Sequence, residues 1–405
     1  MTETKASGAP EIHDYWVSDE TMRVNLGPQH PSTHGVLRLR TEVSGEVVVG
    51  VEPIIGYLHT GIEKQAETLN WIQAVTDVTR ADYLSNFFNE LAYCQAVEKL
   101  AGVEVPPRAE WIRLLLCEFN RMSSHLVWLA TGGMELGALS MATFAFRERE
   151  AILDLYQAVT GVRMNHAYFR PGGVSMDLRP EHMDMAYALC DLLPKRFAEY
   201  ERFLSSNPIW IRRNKGIGII TPEDAFAYGI TGPNLRAAGV PHDLRKAPKP
   251  YLPYDQVSFD VPVGETGDCY DRYLVRMAEL HESAKICKQA LDKMPDGEFR
   301  TAGKLSPPPR NRLPVSMEAV IHHFKLFTDG PHVPAGEVYG AVESPRGELG
   351  YFVASDGRGR PWRLHIRGPS FVNLQIVPKI AKGHLLADLI AILATLDPVM
   401  GDVDR

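Results

Sequence analysis

The sequence predicts an α+β fold in which a central helical bundle is flanked by an N-terminal and a C-terminal β segment. Three observations predict it. Apolar and polar residues alternate over residues 37–43, which is the period of a half-buried strand. Apolar residues then recur at helical spacing through most of the chain from residue 84 to residue 327. Strand-like runs return after Gly336, on either side of the turn pair Asp356-Gly357.

The composition is that of an ordinary globular protein and argues against several classes of function. Of the 405 residues, 45% are hydrophobic and 23% are charged, so a folded chain with a large core is expected. The 43 basic and 50 acidic residues give a net charge of −7, which makes nucleic acid an unexpected partner. Neither a G-x-G-x-x-G string nor a Walker A loop occurs, so no nucleotide site is predicted.

The five cysteines lie far apart, and no two have the spacing C-x-x-C. We therefore expect no disulfide framework, no zinc site and no iron–sulfur site held by this chain alone. The start, MTETKASGAPEIHDYW, lacks a charged region followed by an apolar core, so we expect no signal peptide and a cytoplasmic chain. The apolar run Leu385–Leu396 is too short to cross a bilayer and contains Asp388.

Two adjacent strands are predicted after a polar lead. The first is Met22–Leu26, and the second is the alternating run at 37–43. Between them, residues 27–35 contain two prolines and two glycines, which exclude a helix and favour an ordered turn. This loop carries His30 and His34.

The middle of the chain is predicted to be mainly helical. The predicted helices are 84–97, 107–129, 144–159, 180–203 with a break at Pro194, 270–291 and 315–327. Residues 205–268 are rich in Pro and Gly and are interpreted as an irregular excursion. A hairpin joins Leu349–Ser355 to Trp362–Ile366, and a last helix, Lys379–Leu396, precedes the tail.

We expect these parts to form a single unit over residues 1–405. It would consist of an N-terminal β segment at 1–60, a mainly helical core at 61–330, and a C-terminal hairpin, helix and buried tail at 331–405.

Several residues could carry chemistry, and each has a plainer interpretation. His34 could exchange a proton near neutral pH, or could merely cap its loop. Pro31 prevents the helical turn that would place His30 and His34 on one metal ion. Tyr83 could donate its phenolic proton to a carbonyl substrate, or could simply pack. Glu135, beside glycines and apolar residues, would need a partner if buried, or is a solvated loop carboxylate.

Two further charged strings, His59–Lys64 and Arg346–Glu348, could be ordinary surface. None of these single signals decides the function.

The strings taken together resemble one family. They are GPQHPSTHGVLRL at 27–39, GYLHTGIEK at 56–64, TRADYLS at 79–85, ELGAL at 135–139, FRPGGV at 169–174, ESPRGELGYF at 343–352 and the terminal DPVMGDVDR. In this order they are similar to the 49 kDa-type D subunits of NADH:quinone oxidoreductase, respiratory complex I, from about residue 22 to Arg405. That family is similar in turn to the large subunit of nickel–iron hydrogenases, so the resemblance implies a hydrogenase-large-subunit-like fold.

The resemblance also implies a function. The hydrogenase cysteine pairs are missing here: their places fall near Arg80 to Tyr83 and near Val399 and Asp402, so no thiolate is left to hold nickel. The family uses the vacated site as a quinone cavity. Electrons from NADH would reach the quinone through FMN and iron–sulfur clusters in partner subunits, with no cofactor bound by this chain alone, and the chain alone would be inactive.

Site residues follow from the matched positions. The resemblance implies that His34 and Tyr83 donate hydrogen bonds to the reduced quinone, with Glu135 where the family has an aspartate paired with the histidine. The resemblance implies that His59, Arg80, Thr131 and His166 lie on the side of the terminal cluster.

Thr60 and Asn165 depart from the common pattern of an arginine and a histidine, which leaves the tuning of the cluster in doubt.

The implied partners are the cluster-bearing B subunit, the C subunit, the ferredoxin-like I subunit and the membrane H subunit, together with ubiquinone or menaquinone. The implied place is peripheral, on the cytoplasmic side of the cell inner membrane. Two rival hypotheses are a structural scaffold without quinone chemistry and a metal-bearing hydrogenase subunit. Retained His34 and Tyr83 argue against the first, and the missing cysteines argue against the second.

Overall fold

The computed structural model describes residues 15–18, 21–303 and 305–405. Most of the polar lead and of the sequence tested for a signal peptide lies outside the described residues. Helices and small antiparallel sheets follow one another along the described chain, so the α+β class is confirmed. The hydrogenase-like arrangement and the single unit over 1–405 stay predictions.

An antiparallel sheet opens the described chain, with strand order β1-β2-β3-β4. Its strands are β1 (Tyr15–Ser18), β2 (Thr21–Leu26), β3 (Arg38–Ser44) and β4 (Val47–Ile54). The two predicted strands are β2 and β3, which pair with Leu26 opposite Leu39. Leu39, Thr41 and Val43 are buried, as the alternation predicts. The strands β1 and β4 are additional, because neither shows a clear period of two.

The middle and C-terminal parts contain helices of very different lengths. They are α1 (Ile62–Ala66), α2 (Ala74–Val78), α3 (Asn86–Ala101), α4 (Pro107–Glu135), α5 (Leu139–Thr160), α6 (Pro180–Leu204), α7 (Pro208–Asn214), α8 (Pro222–Tyr228), α9 (Pro233–Ala237), α10 (Cys269–Lys293), α11 (Met317–Thr328), α12 (Pro369–Leu374), α13 (Val377–Ile380), α14 (Leu386–Leu396) and α15 (Met400–Asp404). The six predicted central helices correspond to α3, α4, α5, α6, α10 and α11. The excursion at 205–268 carries the short helices α7 to α9.

Two small sheets complete the architecture. One pairs β5 (Phe169–Arg170) with β6 (Gly173–Val174), and the other has the order β7-β8-β9, with β7 (Gly336–Ser344), β8 (Gly347–Ser355) and β9 (Arg363–Arg367). The predicted hairpin across Asp356-Gly357 is the β8–β9 connection.

The break predicted at Pro194 is wrong. The helix α6 runs through Pro194 without interruption. Leu189, Leu193 and Phe197 are buried on one face of this helix on both sides of the proline. Their packing against the core outweighs the hydrogen bond that a proline removes from a helix interior.

The single predicted helix at 379–396 is also wrong, because the structure divides it into α13 and α14. Gly383, with φ of +86°, lies in the connection. Its amide donates to the carbonyl oxygen of Val48 at 2.8 Å, and the amide of Val48 donates to His384 at 2.8 Å. The backbone here pairs with β4 and is therefore not available for a helix.

Two clusters of buried apolar residues lie in the fold. The larger is built by α3, α4, α5, α6 and α10 and reaches β7 to β9. The smaller joins the N-terminal sheet to α12, α13, α14 and α15. The helices α13 and α14, near the end of the chain, pack against β4 of the N-terminal sheet. No helix among the described residues is long and apolar enough to cross a membrane.

Candidate functional site

The loop between β2 and β3 is fixed from within. Thr33 Oγ1 donates to the carbonyl oxygen of His30 at 2.9 Å, and the amide of Ser32 donates to Nδ1 of His30 at 3.2 Å. Gly27 has φ of +77°, and a side chain there would meet Thr33 Oγ1 at 2.5 Å, so glycine is required. His30 is the histidine that caps this turn, which leaves the ring of His34 available for another role.

His34 follows the 3₁₀ turn Pro31–Thr33 and has a left-handed backbone, with φ of 54°. The residue as a whole is exposed, but desolvation of its ring by the surrounding protein lowers its pKa, while Asp397 raises the pKa and Arg346 lowers it. The imidazole is therefore mainly neutral at neutral pH. One of its nitrogens still carries a hydrogen that it can donate.

Tyr83 lies on the segment between α2 and α3. Asp82 accepts hydrogen bonds from the amides of Leu84 and Ser85, at 3.0 and 3.1 Å, which fixes a turn before α3. The ring of Tyr83 packs against Gly401 of α15, where an added Cβ would lie 3.2 Å from two ring carbons. Burial raises the pKa of Tyr83, and Asp82 raises it further. The phenol therefore keeps its proton at neutral pH.

Arg346 is completely buried between two carboxylates. Its guanidinium lies 2.9 Å from Asp82 Oδ2 and 3.3 Å from Asp397 Oδ2, and its Nε donates to the backbone oxygen of Asp397 at 3.0 Å. The surface interpretation of this string is wrong for Arg346. The β7–β8 turn is covered by residues 231–232, where a Cβ on Gly232 would lie 2.3 Å from the Cα of Gly347.

The same buried charges act on both predicted proton donors. The pKa of His34 and the pKa of Tyr83 each respond to Asp397 and to Arg346. Electrostatic interactions weaken with distance, so both side chains lie near this ion pair. The structure thus brings His34 and Tyr83 to one region, although they are 49 residues apart in the chain.

Glu135 and Thr131 lie one turn apart at the C-terminal end of α4. Burial raises the pKa of Glu135 to about 7, and its buried Oε2 has no hydrogen-bond partner among the described residues. Asp397 is a carboxylate that raises the pKa of His34. Thr131 Oγ1 donates to the carbonyl oxygen of Val127 at 3.1 Å, inside its own helix. The pairing of Glu135 with His34 and the role of Thr131 stay predictions.

His59 and Arg80 are exposed, on separate segments. Nδ1 of His59 lies 2.6 Å from the backbone oxygen of Asp404. The Asp404 carboxylate also accepts two amides of the same loop, at 2.8 and 2.7 Å, so α15 fixes the loop that carries His59. Arg80 donates to the carbonyl oxygen of Thr76, one turn earlier. The string at 59–64 is not ordinary surface throughout, since Glu63 is only partly exposed and accepts the amide of Ile366 at 2.9 Å.

His166 is buried against the start of α3. Its ring stacks on Phe87 with a centroid distance of 4.1 Å and an interplanar angle of 2°. Burial lowers the pKa of His166 to about 4, so the ring is neutral at physiological pH. The adjacent Asn165 accepts a hydrogen bond from Asn86 Nδ2 at 2.9 Å. Both residues are thus part of the packing beside Tyr83's segment.

Three charged residues of this region were missed as site residues: Arg346, Asp397 and Asp402. Asp402 accepts the amide of Ser370 at 2.8 Å, and burial raises the pKa of Asp402 to about 6, with Asp82 adding to the effect. A signal for them existed in the unusual tail, where two acids lie within six residues that otherwise are apolar, Pro or Gly. Their burial, however, depends on strands and helices distant in sequence.

No group of three or more His, Cys, Asp or Glu side chains within the described parts of the chain is arranged to hold a metal ion. The five cysteines are all free and buried.

Known protein families show which proteins this chain is related to. Residues 135–405 match the model of the "Respiratory-chain NADH dehydrogenase, 49 Kd subunit" family. The chain belongs to this family. It is similar to the D 1 subunit of the NADH-quinone oxidoreductase of Roseiflexus castenholzii, with 54% identity over 390 residues, 95% of this chain and 93% of that protein. NADH-quinone oxidoreductase subunit 4 of Thermus thermophilus is 54% identical over 387 residues, 95% and 94% of the two chains.

A third member of the 49 kDa subunit family, the D subunit of the NADH-quinone oxidoreductase of Acidothermus cellulolyticus, is 53% identical over 401 residues, 94% of this chain and 91% of that protein. The match therefore covers nearly the whole of both chains in each case. The family resemblance predicted from the sequence strings is confirmed, and with it the membership of an oxidoreductase of the respiratory chain.

Proposed function

We propose that this chain is a peripheral-arm subunit of a proton-translocating NADH:quinone oxidoreductase and forms part of the chamber where the quinone headgroup is reduced. The observation that carries the proposal is the common location of His34 and Tyr83 beside the buried pair of Arg346 and Asp397. The family membership supports it, since relatives are named as subunits of NADH-quinone oxidoreductase.

In this proposal, the chain delivers protons to the reduced quinone. A quinone that takes up two electrons from the terminal iron–sulfur cluster of a partner subunit also takes up two protons, one on each carbonyl oxygen. Tyr83 keeps its phenolic proton at neutral pH and so can donate it to an oxygen that becomes basic on reduction. His34, mainly neutral, can donate a hydrogen bond from its ring N–H to the other oxygen, and the fraction of His34 that is imidazolium can transfer its extra proton there and become neutral imidazole. Solvent then reprotonates both groups.

Arg346 and Asp397 stabilise the charged forms of the two donors in this step. Loss of a proton from Tyr83 places a negative charge near the guanidinium, which lowers the energy of the phenolate. Asp397 favours a proton on His34. The two members of one buried ion pair thus favour opposite charges on the two donors.

The remaining assignments belong to the same proposal. His59, Arg80, Thr131 and His166 are proposed to line the side facing the cluster of the B subunit. The chain forms a hydrogenase-like single unit at the cytoplasmic face of the membrane in this proposal, and it contacts the C, I and H subunits. FMN, the iron–sulfur clusters and NADH are bound by partner subunits in this arrangement.

The test is Tyr83→Phe in the assembled complex. The variant loses one hydroxyl and keeps the ring, so quinone reduction should fall tenfold to a thousandfold, which corresponds to about 1.4 to 4 kcal/mol for a hydrogen bond that acts in the transition state. Oxidation of NADH by an artificial acceptor upstream should stay unchanged. Tyr187→Phe is the matched control, because Tyr187 donates to Asp292 at 2.9 Å on the outer face of α6. Unchanged quinone reduction in a fully assembled Tyr83→Phe complex would leave the chain a structural scaffold.

A further inference from the structure

A cavity of about 340 Å³ lies between α1 and the β8–β9 connection, and none of its lining residues is assigned to the proposed quinone site. We call it the basic cavity; it is lined by Lys64, Glu67, Thr68, Asp356, Arg358, Arg360, Pro361 and Trp362. The indole of Trp362 is 67% exposed. A large aromatic side chain so exposed beside several cations is unusual for a surface that meets only water.

The backbone that carries these side chains is rigid. The indole nitrogen of the buried Trp71 donates to the carbonyl oxygen of Arg358 at 3.0 Å, and the amide of Trp362 donates to Ala354 at 2.9 Å. A Cβ on Gly359 would lie 2.1 Å from the carbonyl oxygen of Asp329, so the connection packs closely on the end of α11. Preorganisation of this kind lowers the entropy that a ligand must overcome on binding.

The charges of the basic cavity are incompletely paired. Lys64 lies 2.6 Å from Glu67, and Arg358 lies 3.2 Å from Asp356. Within the part of the chain that the structure describes, Arg360 has no ion-pair partner. A net positive charge therefore remains beside Trp362, although the whole chain has a net charge of −7.

The exposed tryptophan and the arginines of the basic cavity indicate the kind of ligand. Arginine and tryptophan are the residues that dominate binding energy at protein interfaces. An inorganic anion would use the cations but not the indole, whereas an acidic peptide segment can use both.

We propose that the basic cavity binds an acidic segment of another subunit of the oxidoreductase, with a carboxylate on Arg360 and a side chain packed on Trp362. The inference rests on the proposed function only in that it requires the chain to work inside a complex. It does not require that His34 or Tyr83 take part in quinone chemistry.

The experiment places a photocrosslinker in the assembled complex. Trp362 is replaced by p-benzoylphenylalanine, the complex is irradiated, and the crosslinked peptides are identified by mass spectrometry. The expected product joins position 362 to a segment rich in Asp and Glu from a different subunit. Raising the salt concentration before irradiation should lower the yield, because an exposed ion pair is screened. Quinone reduction should be unchanged, which separates this result from a failure of the proposed function.

A second substitution tests the charge. Arg360→Glu, combined with the crosslinker, should reduce the yield about tenfold, whereas Arg202→Glu, at an exposed arginine on α6, should leave it unchanged. Products confined to this chain, to lipid or to a segment without acidic residues would overturn the proposal. So would the absence of any product, or a yield that Arg360→Glu does not change.

Discussion

Replacing Arg346 by Met should destabilise the protein strongly. The substitution keeps much of the side-chain volume but leaves Asp82 and Asp397, at 2.9 and 3.3 Å from the guanidinium, without their partner. Breaking a buried pair in this way costs about 3 to 5 kcal/mol, because a buried charge is left uncompensated. Asp402, which is also buried and interacts with Asp82, adds to the repulsion among the carboxylates.

The expected shift of the melting temperature follows from the length of the chain. An unfolding entropy of about 2.1 cal/mol/K per residue gives roughly 0.85 kcal/mol/K for the 405 residues. A loss of about 3 to 5 kcal/mol then corresponds to a decrease of about 4 to 6 °C. Pulse proteolysis of the purified complex at increasing temperature, with the chain followed on gels, measures this decrease.

Arg40→Met is the matched control for this measurement. Arg40 also pairs with a carboxylate, Glu52, at 2.9 Å, but both side chains are exposed. Exposed pairs contribute at most about 1 kcal/mol, so the control should shift the melting temperature by about 1 °C or less. A double variant, Arg346→Met with Asp82→Asn, should recover part of the loss. Equal shifts for Arg346→Met and Arg40→Met would refute the stabilising role of the buried pair.

Three further predictions follow from the same region and from the core. Gly401→Ala places a Cβ 2.5 Å from the carbonyl oxygen of Ala81 and 3.2 Å from the ring of Tyr83. Quinone reduction in the assembled complex should therefore fall at least about tenfold. The control Gly132→Ala, whose Cβ would have a single neighbour at 4.0 Å, should leave it unchanged. Burial raises the pKa of Glu135 from 4.5 to about 7, so the native protein loses stability as the pH rises through that interval. Glu135→Gln should remove this loss. In urea denaturation the variant should be more stable than the parent by about 1 to 3 kcal/mol at pH 8 but not at pH 4.5. All five cysteines are buried, and burial holds the pKa of Cys94, Cys117 and Cys287 well above the usual value. A thiol reagent should therefore label none of the five before unfolding and all five after it. Labelling of the native protein would contradict the packed core.

The sequence predicts those parts of the fold whose signals are local. The alternation at 37–43 and the 3.6-residue spacing of α3 to α6 depend only on residues within each element, and these predictions are confirmed. The predictions failed where distant packing decides. Pro194 lies within α6 because the core holds the helix on both sides, and the last helix divides because β4 pairs with residues 383–384.

The residues of the candidate site also differ in whether a local sequence signal predicts them. The strings around His34 and Tyr83 single out both residues through the family resemblance, and their role as proton donors stays a prediction. The burial of Arg346 could not be derived, because a Ser-Pro-Arg-Gly string in isolation is typical of an exposed turn. It becomes buried only when residues 231–232 cover the turn and residues 82 and 397 meet it from opposite ends of the sequence.

The contact of α15 with the early part of the chain has a consequence for biosynthesis. Asp404 accepts hydrogen bonds from the amides of Gly56 and Leu58, across 348 and 346 residues of sequence. Contacts of such high sequence separation close slowly, since a long loop must be ordered first. While a ribosome is still making the chain, the helices α3 to α6 can already fold, but the region around Tyr83 lacks Asp397 and Gly401. The proposed quinone site is therefore among the last parts to form, and a chain interrupted before residue 397 would retain a helical core without it.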